Sequence, residues 1–425
     1  MKILPGAAFA ASILCAHPAS ASPALDPESL APAYAVDQFN DQRGGQAVWL
    51  MSGTNSASVQ ALLMVLRRAP LDGFASGPEL ADVAQAALGR AAGGDPVAVR
   101  SADKLLSSAW VMYVQALHWP SAGMIYADPA LAPRIPAPAS VLADLADASS
   151  PADHVIRVSA INPIYSALRD AAAANRDPVL AATLRANLDR ARAIPGRGSF
   201  VLVDLASQKL WMMDGGQMVD SMRVVVGKSE MATPLLAGTI RTAILNPYWN
   251  VPGDLVRKNI APAASKGGKA YLAAKGYQLL SGWEEGAMPV DPATVDWSKV
   301  ASGARDLRVR QRPGAANMMG AMKFEFPNSS GIYLHDTPDK SLFAKATRTL
   351  SSGCIRLEDA PRLGRWLLGR EPVASGSAPE QMVTLPAAVP VYITYLTARP
   401  ENGQIAMSVD IYGLDAKANS VLASR

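Results

Sequence analysis

Cysteine is almost missing from this chain. There are two in 425 residues, beside four histidines. Aromatic residues make up only 6%, and charged residues 18%, with a net charge of +4. Two cysteines do not make a disulfide framework, and neither they nor the histidines stand at metal-ligand spacing, so no metal is expected. A charge this close to balance does not argue for nucleic acid. The chain also has no apolar run of the 20 or so residues that a membrane-spanning helix requires.

The N-terminus accounts for half of the scarce cysteine. Met1-Lys2 is a short positive start, Ile3 to Cys15 is mostly apolar, and Ala19-Ser20-Ala21 has the small-x-small form of a signal-peptidase site. Residues 1–21 therefore read as a secretory signal cleaved after Ala21, leaving no stable membrane anchor. Cleavage removes Lys2, Cys15 and His17, so the net charge falls by one to +3. The mature chain keeps Cys354, with His118, His154 and His335. A lone cysteine in an exported protein is either an inert buried residue or a free reactive thiol. An idle thiol is a liability in an oxidising compartment, which favours the reactive reading.

About 400 mature residues exceed one hydrophobic core, so at least two domains are expected. Residues 22–50 read as a Pro- and Ala-rich leader. From about Ser56 to Leu188 the apolar spacing is helical, as in Leu180, Leu184, Leu188 and Ala191. His118 and His154 fall here and read as ordinary surface or structural histidines. At Ile194-Pro195-Gly196 the character changes. Phe200 to Leu205, Lys209 to Met213 and Met218 to Val226 read as strands, with Asp214-Gly215-Gly216 as a turn. Asn246 to Pro252 is an aromatic loop between prolines, and 253–315 reads as a polar insertion. Later strands are expected at Met382 to Leu385, Val391 to Leu396 and Ile405 to Tyr412, with a short helix between Asp359 and Gly369.

The chemistry concentrates between Gly331 and Arg356. Ile332-Tyr333-Leu334 reads as a buried strand ending on His335, and Cys354 follows nineteen positions later in the setting Ser351-Ser352-Gly353-Cys354. An imidazole that takes a thiol proton, a thiolate that attacks a carbonyl, and small residues that let backbone N–H groups reach an oxyanion form a cysteine acyl-transfer site. Gly353 and Ser352 are the candidate oxyanion positions. Asp336 is too close in sequence to orient His335 through its side chain, which leaves a backbone carbonyl for that role. Arg356 either grips a substrate carboxylate or pairs with Glu358 or Asp359. Tyr333 either lines the site or closes the core. Tyr248 and Trp249 either wall a cleft or anchor their loop.

HDTP and SSGCIR resemble the signature of the L,D-transpeptidase (YkuD-type) catalytic domain. The ordered set NLDRARAIPG, FVLVDLASQKL, MRVVVGK, TPLLAG, ILNPYWNVP, AAKGY, YLHDTP, LSSGCIR and DIYGLDA resembles its large periplasmic YcbB-like subfamily over about residues 187–416. The resemblance implies an α+β protein: a signal at 1–21, a helical scaffold domain at 22–190, and a mainly antiparallel β-sandwich catalytic domain at 191–425 with a mobile capping insertion at 253–315. It implies Cys354 as nucleophile, His335 as general base, the Gly353-Cys354 backbone at the oxyanion and Arg356 in the substrate cleft, with no cofactor.

The implied activity is periplasmic: 3→3 cross-linking of peptidoglycan stem peptides, a donor tetrapeptide and an amine acceptor, through a thioester with loss of D-alanine. Carbapenem β-lactams would inhibit it. Water or a protein lysine as acceptor, and a non-catalytic wall-binding scaffold, are the alternatives. Two departures stand out: Ser352 occupies a position where many relatives carry His, and no peptidoglycan-binding domain is recognisable.

Overall fold

The computed structural model describes residues 33–284 and 286–422; the expected signal and its cleavage site lie outside the described residues. Helix begins earlier than the apolar spacing indicates, at Ala33–Gln42, within the stretch read as a leader. It is short and mostly polar and buries only Val36 and Phe39, too little to show as a stripe. The expected helices follow, several started by a side-chain cap and a proline in the first turn. Asp95 accepts from Ala98 N at 2.8 Å to open Pro96–Leu117, and Asn162 accepts from Tyr165 N at 2.8 Å to open Pro163–Ala174.

The helical region has its own core around Trp49, Leu62, Leu66, Leu106 and Trp110, all fully buried or nearly so. Its buried carboxylates have partners. Asp72 accepts from the hydroxyls of Tyr113 and Tyr165, each at 2.7 Å, and Asp103 accepts from the amides of Val48, Trp49 and Leu50. Paired in this way, a buried carboxylate ties distant segments together without an uncompensated desolvation cost.

The expected boundary at 190/191 falls at the end of the helix Pro178–Ala191. By packing, that helix belongs with the sheet. Leu184, Leu188 and Ala191 share a core with Phe200, Leu202, Tyr392 and Leu396. The strand Phe200–Asp204 is therefore covered on both sides: Phe200 and Leu202 meet the helices, while Val201 and Val203 face the interior. This double burial is why FVLV is uninterruptedly apolar.

The α+β class holds, and the strands close on one another. Ten strands form one sheet; Ile125–Tyr126 and Thr349–Ser351 hang on its outside. The other eight run Leu236–Leu245, Gln381–Thr394, Phe200–Asp204, Lys209–Asp214, Gln217–Gly227, Ile355–Leu357, Leu334–His335 and Met322–Glu325, which pairs back to Leu236–Leu245. Pairing around this ring is antiparallel except at two seams, Gln381–Thr394 with Phe200–Asp204 and Leu334–His335 with Ile355–Leu357. The two late strands expected at 382–385 and 391–396 are one strand, with an irregularity between Thr384 and Val389. The last expected strand stops at Gln404–Met407, and the chain turns before Tyr412.

The insertion is more ordered than its polar sequence indicates. Val256, Ile260, Ala264, Leu272, Leu279 and Val309 form a separate apolar core, under a small sheet of Trp249–Asn250, Tyr277–Leu280 and Arg308–Gln311. Its elements are short, and Gly268 at φ 55° breaks the helix Ala261–Ala274, so no single period runs long enough to be read.

Candidate active site

Register brings the chemistry together. Leu334 and His335 pair in parallel with Ile355 and Arg356. Ile355 and Leu357 are fully buried in the interior, and Arg356 between them is not. Alternation therefore turns Arg356 away from the core, and its neighbour His335 lies on the same side of the sheet. Cys354 is the last residue before this strand. The Tyr333 carbonyl accepts from Ile355 N at 3.0 Å and pins the nucleophile segment beside the His335 strand.

His335 is buried, and its Nδ1 lies 2.5 Å from the Asp336 carbonyl oxygen. A carbonyl only accepts, so Nδ1 carries a proton toward Asp336, and the Met319 backbone is a second hydrogen-bond partner of the ring. The Asp336 carboxylate is engaged elsewhere, with Lys340 Nζ at 2.6 Å and Ala321 N at 2.9 Å, so the backbone orients the imidazole. Burial, reinforced by the nearby Arg356 guanidinium, pushes the His335 pKa down to about 4. The imidazole is therefore a neutral base at physiological pH.

The Cys354 thiol moves the other way. Burial raises its pKa, against smaller opposing effects of the Tyr333 backbone and Arg356. Its Sγ donates to the Gly331 carbonyl at 3.6 Å. Asn328 builds the turn that presents this carbonyl, bonding to the Phe326 and Ile332 oxygens and to Ile332 N. At rest the site thus holds a neutral thiol and a neutral imidazole, not a thiolate–imidazolium pair.

One of the expected oxyanion amides is otherwise engaged. Gly353 N–H is committed to Ser351 Oγ at 3.2 Å, and Ser351 donates to the Cys354 carbonyl at 2.5 Å. Gly353 is therefore corrected from donor to hinge. The flanking amides of Ser352 and Cys354 have no protein acceptor among the described residues. Gly353 sits at φ 114°, and a Cβ there would stand 3.3 Å from Ile332 Cδ1. Its carbonyl accepts from Thr233 Oγ1 at 2.6 Å, and Thr233 Oγ1 accepts from Gly227 N at 2.9 Å. Tyr412 Oη donates to the Gly227 carbonyl and stacks on Tyr395, over which Arg190 lies. These supports, Thr233 above all, were not singled out by the sequence reading. The sequence carries them only as parts of TPLLAG and DIYGLDA.

Arg356 has no ion pair among the described residues, and its buried Nε has no acceptor. The carboxylates offered by sequence proximity are taken. Glu358 accepts from Arg223 Nε at 3.0 Å, and Asp359 caps the helix Ala360–Leu368 and lies 3.7 Å from Arg362. Tyr333 is half-buried between the core residues Ile332 and Leu334, so it does not close the core, and Lys323 Nζ lies 5.4 Å from its ring centroid.

Tyr248 carries the Arg310 guanidinium 4.0 Å over its ring and donates its N–H to Glu380 at 2.6 Å. Glu380 in turn lies 3.8 Å from Lys323, which connects the insertion's base to Tyr333. Of the two readings of Trp249 the structure favours the anchor: it packs against the insertion's own core and pairs with Gln311.

Residues 198–392 match the family described as the L,D-transpeptidase catalytic domain, YkuD, and residues 34–171 match a family described as a scaffold domain. A protein of Haemophilus influenzae, named provisionally as an L,D-transpeptidase, is 33% identical over 243 residues. That match takes in 56% of this chain and 48% of the relative, so the chain spans about half the length of the curated relative it matches. Among solved structures, an L,D-transpeptidase from Mycobacterium smegmatis aligns at TM-score 0.23 and 12% identity, covering 47% of this chain and 59% of the other. The structure titled as the Ldtfm–avibactam carbamoyl enzyme aligns at TM-score 0.22 and 14% identity, covering 48% and 50%.

Proposed function

We propose, from the premise that this chain joins a scaffold domain to a YkuD-type L,D-transpeptidase catalytic domain, that it is a peptidoglycan L,D-transpeptidase working in the periplasm. The observation that carries this reading is the unpaired Arg356 guanidinium beside a protonated thiol and a neutral imidazole. An unpaired, largely desolvated cation favours an anionic partner, and a guanidinium holds a carboxylate through two parallel hydrogen bonds. Stem peptides carry carboxylates next to the scissile amide.

In the first half-reaction Cys354 Sγ attacks the carbonyl joining the third stem residue, at its L-centre, to the terminal D-alanine. Nε2 of His335 takes the thiol proton. The N–H groups of Cys354 and Ser352 receive the oxyanion. The C–N bond breaks, the imidazolium returns its proton to the departing amine, and D-alanine leaves from a thioester. In the second half-reaction the side-chain amine of an acceptor stem attacks the thioester. His335 takes the amine proton and Cys354 leaves as a thiolate, which recovers that proton. The product is a 3→3 amide.

Purified protein lacking residues 1–21, incubated with disaccharide-tetrapeptide, is expected to release D-alanine and form 3→3 dimers visible by mass spectrometry. Tripeptide alone would identify water as the acceptor, and no D-alanine release would end the proposal. β-Lactams of the carbapenem class are proposed as acylating inhibitors of the same thiol.

The insertion is proposed as a cap that keeps water from the thioester. It is a folded unit joined to the body where Trp249 meets Gln311. Replacing residues 253–307 with a short glycine-rich turn is expected to shift products severalfold from dimer toward tripeptide, while carbapenem acylation persists. An unchanged dimer-to-tripeptide ratio in the folded variant would show that the insertion does not exclude water.

A further inference from the structure

The helical region encloses a cavity of about 550 Å³, remote in sequence from the Cys354 site and unused by the reaction above. Its wall is drawn from several elements. Trp110 comes from the helix Pro96–Leu117, Arg157 from Pro151–Ala160, Tyr126 from the strand Ile125–Tyr126, and Arg192 and Arg197 from the lead-in to the catalytic domain. The indole of fully buried Trp110, the Tyr126 hydroxyl and Arg192 Nε are closed off behind this wall, and the Ser121 backbone bonds to the Tyr126 hydroxyl, so the groups that can meet a guest are the partly exposed ones.

Charge gives the space its chemical sense. Three guanidinium groups, of Arg157, Arg192 and Arg197, face one carboxylate, Asp144. Two Arg192 nitrogens are used structurally, on the carbonyls of Ala116 and Asp72, while Arg157 and Arg197 are exposed and have no ion pair among the described residues. Half-buried Trp119 and Tyr126 supply aromatic surface. Aromatic faces and excess guanidinium suit a sugar ring bearing a carboxylate, and the volume lies in the range of small-molecule sites.

We propose that this cavity is a saccharide subsite for a carboxylate-bearing amino sugar, the chemistry of a muramyl unit whose lactyl group carries no peptide. The choice of sugar rests on the peptidoglycan reading above. The site gives the scaffold a means of holding the wall. It also touches the catalytic sheet, since Ile125–Tyr126 pairs with Leu236 and Ala237.

The test is calorimetric titration of the full chain bearing Cys354→Ala with N-acetylmuramic acid and, separately, N-acetylglucosamine, which has the same ring without the carboxylate. Neither sugar offers the catalytic site a scissile amide. The acidic sugar is expected to bind at least tenfold more tightly, and the double substitution Arg157→Gln with Arg197→Gln to erase that preference while leaving the thermal midpoint in place. No saturable binding, equal binding of the two sugars, or a preference that survives the double substitution would overturn the site and leave a merely hydrated cavity. Failure to form 3→3 dimers would overturn the catalytic proposal and leave this titration standing; failure of the titration would leave the dimers standing.

Discussion

Cys354→Ala is expected to abolish acyl transfer, by a factor of about 10⁶, the order lost when a covalent nucleophile is removed. The fold should survive, because one small residue replaces another. The supports of the loop also remain, since the Thr233 bond to Gly353 and the Ser351 bond to the Cys354 carbonyl do not involve the sulfur. Cys354 is the only cysteine beyond residue 15, so a thiol reagent on protein lacking residues 1–21 reports on one atom. Intact-mass analysis after a carbapenem should show one adduct on the parent and none on the variant. An adduct that persists in Cys354→Ala would place the reaction on another group.

His335→Ala is expected to slow acylation by roughly 10²- to 10⁴-fold, the value of a positioned general base. The pH dependence separates the base from a spectator. His335, held at about 4, is already deprotonated at neutral pH, so the parent rate should fall only as the medium approaches pH 4. The thiol is pushed above its ordinary value, so unassisted thiolate is scarce at neutral pH and grows about tenfold per unit toward the alkaline range. The variant's rate should climb with pH and close on the parent. A low rate that stays flat up to about pH 9 would mean that His335 positions the substrate and takes no proton. His335→Gln, which keeps a polar group in the pocket, should behave as the alanine variant does if proton transfer is the missing function.

The parts of the site were legible, and their settings were not. The spacing of His335, Cys354 and Arg356, and the small residues before Cys354, gave a thiol, a base and a cation. Whether Arg356 was spent on a neighbouring carboxylate was not readable, because Glu358 is taken by Arg223, 135 residues away. The role of Gly353 as oxyanion donor looked natural from the local sequence. It fails because Ser351, two residues back, captures that N–H. Trp249 was open between cleft wall and anchor, because aromatics between prolines are exposed as often as packed. Its partner Gln311 lies on the far side of the insertion.

Sequence alone determined what short-range patterns dictate. Helices announced themselves where apolar residues recur on one face behind Ser, Asp or Asn caps, and the meander from Phe200 to Gly227 by apolar runs around Asp214-Gly215-Gly216. The ordered motifs carried the resemblance to the catalytic family. Tertiary structure decided whatever depended on distant partners: the closure of eight strands into a ring, the separate core of the insertion, and the opposed pKa shifts of base and nucleophile. The reason is physical. Secondary structure follows from contacts within a few residues, which a pattern records. Ring closure, burial and local electric field arise from groups that meet only after the chain has packed, and one-dimensional spacing does not encode that distance.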